Sequence, residues 1–212
     1  KVFHHCLNSA VIDEIITSNP MDKIKNEEKP KRRRTERAFL TIDELKILSQ
    51  TDFHNATLKK AFLFSCFCGL RHSDIVALTW GNLKKGKVGK MELHMTQQKT
   101  QEILSLPLSK EALKQLPVRG KVPDTEKVFK GLISLGRTNE ILPKWAAKAG
   151  IQKHITFHSA RHTHATMMIT LGADLYTVSK LLGHTNIQTT QIYAKIVDES
   201  KEKAIDLIPD IT

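Results

Sequence analysis

The apolar positions of this chain fall mostly at helical spacing, with one stretch of strict alternation. Val2, Phe3, Leu7, Ala10, Val11, Ile15 and Ile16 lie close to one helical stripe, which Asn19-Pro20 ends. Thr41 with Glu44 three residues on is a capping box, and it predicts a helix to about Ser49. Asn55 caps a second helix, Ala56 to Cys68, whose second half is apolar nearly all round and is therefore expected to be buried before Gly69 stops it. Ser73 to Leu78 reads as a short helix with Ser73 as its cap. Met91 to Met95 and Glu102 to Leu106 alternate as two strands, joined around Gln97-Gln98-Lys99-Thr100. Ser109 caps another short helix, and Lys144 to Ala149 is helical up to Gly150. His158 to Leu171 forms a helix closed by Gly172, Asp174 caps the next as far as Gly183, and two more helices follow from Ile187 on. The expected fold is mainly α with a small antiparallel β-sheet.

Charge adds a candidate partner. Of 212 residues, 33 are Lys or Arg and 22 are Asp or Glu, a formal net charge of +11. Such a balance fits a polyanionic partner, and by itself it fits a merely soluble basic protein equally well. The excess sits in the body of the chain, because residues 194–212 carry three cations against five anions. Between Met21 and Arg37 the run Lys29-Pro30-Lys31-Arg32-Arg33-Arg34-Thr35-Glu36-Arg37 holds six cations in nine residues and no large apolar side chain. It reads as an exposed linker, either a solvated charge run or a strap along a phosphate backbone. A hydrophobic content of 40% excludes a wholly disordered chain. The longest apolar run, Lys60 to Gly69, is about half a membrane span, so no membrane partner is expected. Three cysteines make no disulfide framework, and a reducing cytosol is the expected compartment.

Four segments place polar groups at helix ends or turns beside apolar sequence. Arg71 follows a buried helix and a glycine, and Asp74 is spaced to hold its guanidinium; alone, the pair reads as a structural ion pair. His158 and Arg161 share one face at a helix N-terminus, which suits an anion. A metal site on His158, His162 and His164 is the rival there, but no Glu follows His158 and no CxxC accompanies it, so no metal is expected. Tyr193, one of only two tyrosines, lies nine residues past the glycine-bounded His184, and alone it reads as a core tyrosine. Lys99 at a hairpin turn alone is an ordinary surface lysine.

Together, Arg71, Lys99, His158-x-x-Arg161, His184 and Tyr193 resemble, in order and approximate spacing, the tyrosine recombinases of the phage-integrase family. Flanking residues extend the resemblance: Gly69-Leu70-Arg71, Leu78-Thr79-Trp80, Lys99-Thr100 followed by Pro107-Leu108, Arg161-His162-Thr163, and Leu181-Leu182-Gly183-His184. It covers roughly Phe39 to Ala204. Asp74 stands where many relatives have Glu, and His184 where some have Trp, both familiar alternatives in the family.

The resemblance implies the DNA breaking-rejoining fold of a recombinase catalytic domain, over residues 38–212. Residues 1–20 would be the last helix of a preceding core-binding domain, and 21–37 a basic linker. It implies transesterification through a 3′-phosphotyrosyl link, with Tyr193 as nucleophile, Arg71 and Arg161 on the non-bridging oxygens, and His184 as a further donor. His158 would be the proton acceptor or an orienting group, and Lys99, on a mobile turn, the acid for the departing 5′ oxygen. Two nearby guanidinium groups would help the Tyr193 phenol to ionise. Asp74 would support Arg71, while Lys29, Lys31, Arg32, Arg33, Arg34 and Arg37 would contact DNA. No cofactor is implied. The partners implied are double-stranded DNA and further copies of the chain, as a dimer or tetramer on DNA, in a bacterial or phage-encoded protein of the cytoplasm and nucleoid. The acidic tail, residues 199–212, would dock on a neighbouring copy. Competing readings are a type IB topoisomerase, a non-catalytic DNA-binding regulator of the same fold and, remotely, a metallohydrolase.

Overall fold

In the computed structural model of the chain, residues 2–25, 28, 37–86 and 89–193 are described, and the backbone divides into two units, residues 1–36 and 37–212. In the first unit, helix α1 runs from Val2 to Ile12 and buries none of its residues. It ends earlier than the apolar pattern predicted, because Glu14 turns left-handed at φ 57°. Asn19 then caps a 3-10 turn, Pro20–Lys23, accepting the Met21 N–H at 2.9 Å.

The second unit is built on two buried helices. Helix α2 (Ile42–Gln50) begins at the capping box: the Glu44 N–H donates to Thr41 Oγ1 at 3.2 Å and the Thr41 N–H to Glu44 Oε2 at 2.8 Å. Helix α3 (Ala56–Cys68) is capped by Asn55 and ends where Gly69 turns left-handed at φ 72°. Its apolar second half is buried among Phe62, Phe64, Cys66 and Cys68 as the sequence predicted. Helix α4 (His72–Ala77) follows. Its cap is not Ser73: Arg71 is the N-cap residue and the Asp74 carboxylate accepts the Arg71 N–H, since a carboxylate at the third helical position closes the first turn from inside.

Strands β1 (Leu83–Lys85), β2 (Met91–Thr96) and β3 (Ile103–Pro107) form an antiparallel sheet in the order β1-β2-β3. Leu93 faces both Leu83 and Leu106, and Met95 faces Leu104, so the sheet's inner face carries the apolar phase of the alternation. Strand β1 escaped the sequence reading because three residues are too few to show a period. Helix α5 (Lys110–Lys114) is capped by Ser109.

Helix α6 spans Leu135–Lys148, nine residues longer at its start than predicted, with Pro143 inside it. The proline removes one backbone donor, yet Thr138, Leu142, Trp145 and Ala146 anchor the helix in the core on both sides of it. Helix α7 (Phe157–Thr170) lies against α3, with Phe157 edge-on to Phe62, and ten of its residues are buried. Helix α8 (Leu175–Leu182) is capped by Asp174 and ends at Gly183, φ 62°. Of the two helices expected from Ile187 on, the described residues form two 3-10 turns, Ile187–Thr189 and Gln191–Tyr193. Among the described residues no helix is long and apolar enough to cross a membrane.

Candidate active site

Helix ends bring the site together. Gly69 closes α3, Arg71 opens α4, Gln97 and Lys99 lie between β2 and β3, His158 and Arg161 occupy the first turns of α7, and Leu182 to His184 end α8. Each end leaves backbone groups without helical partners, so side chains meet free carbonyls there.

Arg161 is 3% exposed and uses two of those carbonyls: Nη1 donates to Gly69 O at 2.8 Å and Nη2 to Leu182 O at 2.7 Å. Burial, and next the neighbouring Arg71, push its pKa down to about 10, so it remains a cation at neutral pH. Arg71 Nη1 donates to Gln97 Oε1 at 3.1 Å. Asp74 pairs with this guanidinium only at long range, Nη1 to Oδ2 at 3.9 Å. The buried Asp74 carboxylate is spent on backbone donors instead, Arg71 N–H at 3.2 Å and Gln98 N–H at 2.8 Å. It fixes the two loops that carry Arg71 and Lys99.

Lys99 is exposed at the tip of the β2–β3 turn, and its charge is felt at His158. The turn backbone carries several hydrogen bonds. Gln97 N–H donates to Glu102 O and Gln101 N–H to Gln97 O, both at 2.9 Å, and Thr100 Oγ1 donates to Gln97 Oε1 at 3.0 Å.

The histidines are held neutral. Burial first, then the charges of Arg161, Arg37, Arg71 and Lys99, lower the His158 pKa to about 4. Burial and the same kind of cationic crowding take His184 to about 4 and His162 to about 3. His158 stands edge-on to His162, ring centres 4.7 Å apart, whereas His164 points to Cys66 O on α3. The three do not converge on a point, and no group able to hold a metal occurs among the described residues. His184 Nδ1 is hydrogen-bonded to Thr190 Oγ1 at 2.8 Å.

Tyr193 is buried, and its hydroxyl is hydrogen-bonded to Nδ1 of His162 at 2.5 Å, not to His158. The expectation of an easily ionised phenol is reversed here. Burial raises its pKa to about 12, outweighing the pull of Arg161 and Arg37, because the ring packs into a small apolar cluster with Ala165, Ile169, Val178 and Leu182. Arg37, read from sequence as part of a linker, thus lies near enough to act on Tyr193 and three histidines. Lys29, Lys31, Arg32, Arg33 and Arg34, and residues 194–212, lie outside the described residues.

Four cations therefore surround neutral imidazoles, with one buried carboxylate already committed. Such an arrangement favours an anion, with guanidinium and imidazole N–H groups to receive its oxygens. The sequence reading missed Gln97, His162 as the tyrosine's partner, and Thr190. A signal for Gln97 existed: it continues the inward phase of Leu93 and Met95, which makes it a buried polar group.

The sequence profile of the phage integrase family matches residues 38–200, a span that contains all six residues of the resemblance. A tyrosine recombinase of Pseudothermotoga lettingae is 30% identical over 203 residues, covering 94% of this chain and 69% of that protein. The tyrosine recombinase XerC of Caldanaerobacter subterraneus subsp. tengcongensis is 30% identical over 207 residues, covering 92% of this chain and 57% of that one. A lambda integrase (75–356) dimer bound to a COC′ core site superposes with a TM-score of 0.70 at 20% identity, over 90% of this chain and 69% of that one. The mainly helical fold with its small sheet is thus that of the integrase catalytic domains. The chain belongs to the phage integrase family of tyrosine-type site-specific recombinases.

Proposed function

We propose that this chain cuts and rejoins double-stranded DNA by transesterification, with Tyr193 as the nucleophile and Arg71, Lys99, His158, Arg161 and His184 as the remaining active residues. The observation that carries the reading is the pairing of two guanidinium groups through Gln97 and Leu182 O, with the Tyr193 hydroxyl on the histidine next to Arg161. Tyr193 leaves its hydrogen bond to His162, its Oη attacks the phosphorus, and the phenolic proton passes to His158. The bond from phosphorus to the 5′ oxygen breaks, and Lys99 protonates that oxygen. The product is a 3′-phosphotyrosyl link and a free 5′ hydroxyl. Arg71 and Arg161 stabilise the charge on the non-bridging oxygens, and His184 adds a neutral donor. In the reverse direction a 5′ hydroxyl attacks the link and releases Tyr193, so no external energy source is needed.

The same reading assigns residues 1–20 to the last helix of a core-binding domain and 21–37 to a linker. Lys29, Lys31, Arg32, Arg33, Arg34 and Arg37 then follow the phosphate backbone, beside a catalytic domain of residues 38–212. Two or four copies assemble on DNA, with residues 199–212 docked on a neighbour. The lambda integrase dimer on its core site and the XerH recombinase on its difH substrate support DNA as the partner by analogy.

A suicide substrate, nicked so that the 5′ hydroxyl is lost after cleavage, tests the reading. The unaltered chain should become covalently attached to DNA. Tyr193→Phe should abolish the adduct and leave DNA affinity nearly unchanged. An adduct that persists in Tyr193→Phe and maps to Tyr176 would sink the assignment.

A further inference from the structure

The two arginines repel each other, and the ion pair of Asp74 Oδ2 with Arg71 is long, 3.9 Å, because that carboxylate faces backbone donors. Neutral groups therefore hold them. Gln97, fully buried, is the point where these contacts meet. Its Oε1 accepts from Arg71 Nη1 at 3.1 Å and from Thr100 Oγ1 at 3.0 Å, and its Nε2 donates to Leu182 O at 3.2 Å. Leu182 O also accepts from Arg161 Nη2 at 2.7 Å. One amide thus joins the Lys99 turn, Arg71, the C-terminal end of α8 and, through a shared carbonyl, Arg161.

We propose that Gln97 is a positioning residue that sets the spacing of the two guanidiniums and ties the Lys99 turn to them. The proposal rests on the reading of Arg71 and Arg161 as ligands of the reacting phosphate. The amide suits the place because it offers an acceptor and a donor on one rigid plane. Its orientation is fixed: flipped, it would set its NH₂ against the guanidinium and its oxygen against Leu182 O. The backbone opposite is shaped around it. Gly183 is left-handed at φ 62°, and a Cβ there would lie 2.8 Å from Gln97 Oε1 and 2.9 Å from Nε2. At the other end of the network, Gly69, whose carbonyl takes Arg161 Nη1, is likewise left-handed. Gln97 itself touches no reacting atom and acts through the two arginines and the turn.

Gln97→Met keeps length and burial and removes both polar contacts. Gln97→Glu keeps the acceptor for Arg71 and Thr100 and loses the donor to Leu182 O. Single-turnover capture on the suicide substrate, affinity for uncleaved duplex, and hydrogen exchange of the turn are read for both variants of the full chain. Gln97→Met should slow capture by about 10–100-fold, the scale of a sub-ångström to ångström misplacement of a reacting partner. Duplex affinity should stay within about threefold, since binding is spread over many phosphates. Gln97→Glu should recover part of the lost rate, and Gln98 and Gln101 amides should lose protection in Gln97→Met. Where Gln97→Met fails to fold, Gln97→Glu, of the same shape, carries the comparison through its own ratio of capture to affinity. Capture at the rate of the unaltered chain in both variants overturns the proposal, as does an equal loss of affinity and capture. If the unaltered chain forms no adduct, the reading of the site fails by itself, and unchanged exchange of the Gln98 and Gln101 amides then overturns the role of Gln97 separately.

Discussion

The arginine half of the site and the tyrosine half are built differently. Arg71 and Arg161 stand on the ends of α3, α4 and α7, which share the large core of Phe62, Leu70, Ile75 and Phe157. Their partners are a buried amide and carbonyls at 2.7–3.1 Å. Tyr193 belongs to a separate cluster of five buried residues and, among the described residues, lies at the end of a 3-10 turn, with its hydroxyl hydrogen-bonded to His162. The difference suits two tasks. Groups that stabilise developing charge work best when fixed beforehand, whereas a nucleophile that must reach phosphorus has to leave a contact. Here Tyr193 is parked: neutral, buried, and bonded to a histidine that burial and cationic neighbours keep uncharged.

The largest contrast should appear in stability and chemistry together. Arg161→Ala leaves Gly69 O without its buried donor and Leu182 O with Gln97 Nε2 alone, an expected loss of about 1–3 kcal/mol in unfolding free energy. Its capture rate on a suicide substrate should also fall by at least about 10²–10³-fold. Tyr193→Phe loses one hydrogen bond and should cost about 1 kcal/mol. Urea unfolding of both variants checks the pair. Equal losses would mean that the tyrosine turn is as integral to the fold as the arginine scaffold.

The next effect is acid sensitivity on the arginine side. His164 is buried behind Gly69, with Nδ1 on Cys66 O and Nε2 without a partner, and burial first lowers its pKa from 6.5 to about 4. The folded protein binds this proton more weakly than the unfolded chain. The contribution is therefore complete above about pH 6.5 and is lost as pH falls toward 4, on the order of 3 kcal/mol. In His164→Asn, the pH dependence of unfolding free energy over that window should flatten by about one proton. An unchanged slope would assign the whole acid response to His158, His162 and His184 at the open side.

The smallest effect concerns the Lys99 turn. Gln101 is left-handed at φ 57°, a conformation that glycine adopts without strain. Its side chain returns one bond, Nε2 to Gln98 O at 2.9 Å. Gln101→Gly should therefore gain less than about 1 kcal/mol, a rise of a few degrees at most in Tm. A large gain in stability with slower capture would show that strain in the turn is used to aim Lys99.

Much of this was legible from local chemistry. Thr41, Asn55, Ser109 and Asp174 announced helix starts, because a side chain that caps a helix must lie beside the amides it serves. Helix α6 begins nine residues before its predicted start, and burial of Leu142 and Trp145 on either side of Pro143 carries the helix through that local breaker. Ser73 was chosen as a cap for its hydroxyl, while a carboxylate one residue later did the work. In the site, Arg71, Lys99, His158, Arg161, His184 and Tyr193 stood out through their joint resemblance to the tyrosine recombinases.

Sequence alone determined which residues bear charge, hydroxyl and imidazole, where the capped helices begin, and that one short sheet interrupts them, since these depend on contacts within a few positions of the chain. The tertiary structure decided who meets whom. Gln97 reaches Leu182 across 85 positions and Arg161 reaches Gly69 across 92. Tyr193 meets His162 rather than the histidine one turn earlier on the same helix. The protonation states followed from that assembly, because burial and the fields of Arg37, Arg71 and Arg161 arise only when distant segments pack. The same phenol that two cations would help to ionise is held neutral by the cluster that encloses it.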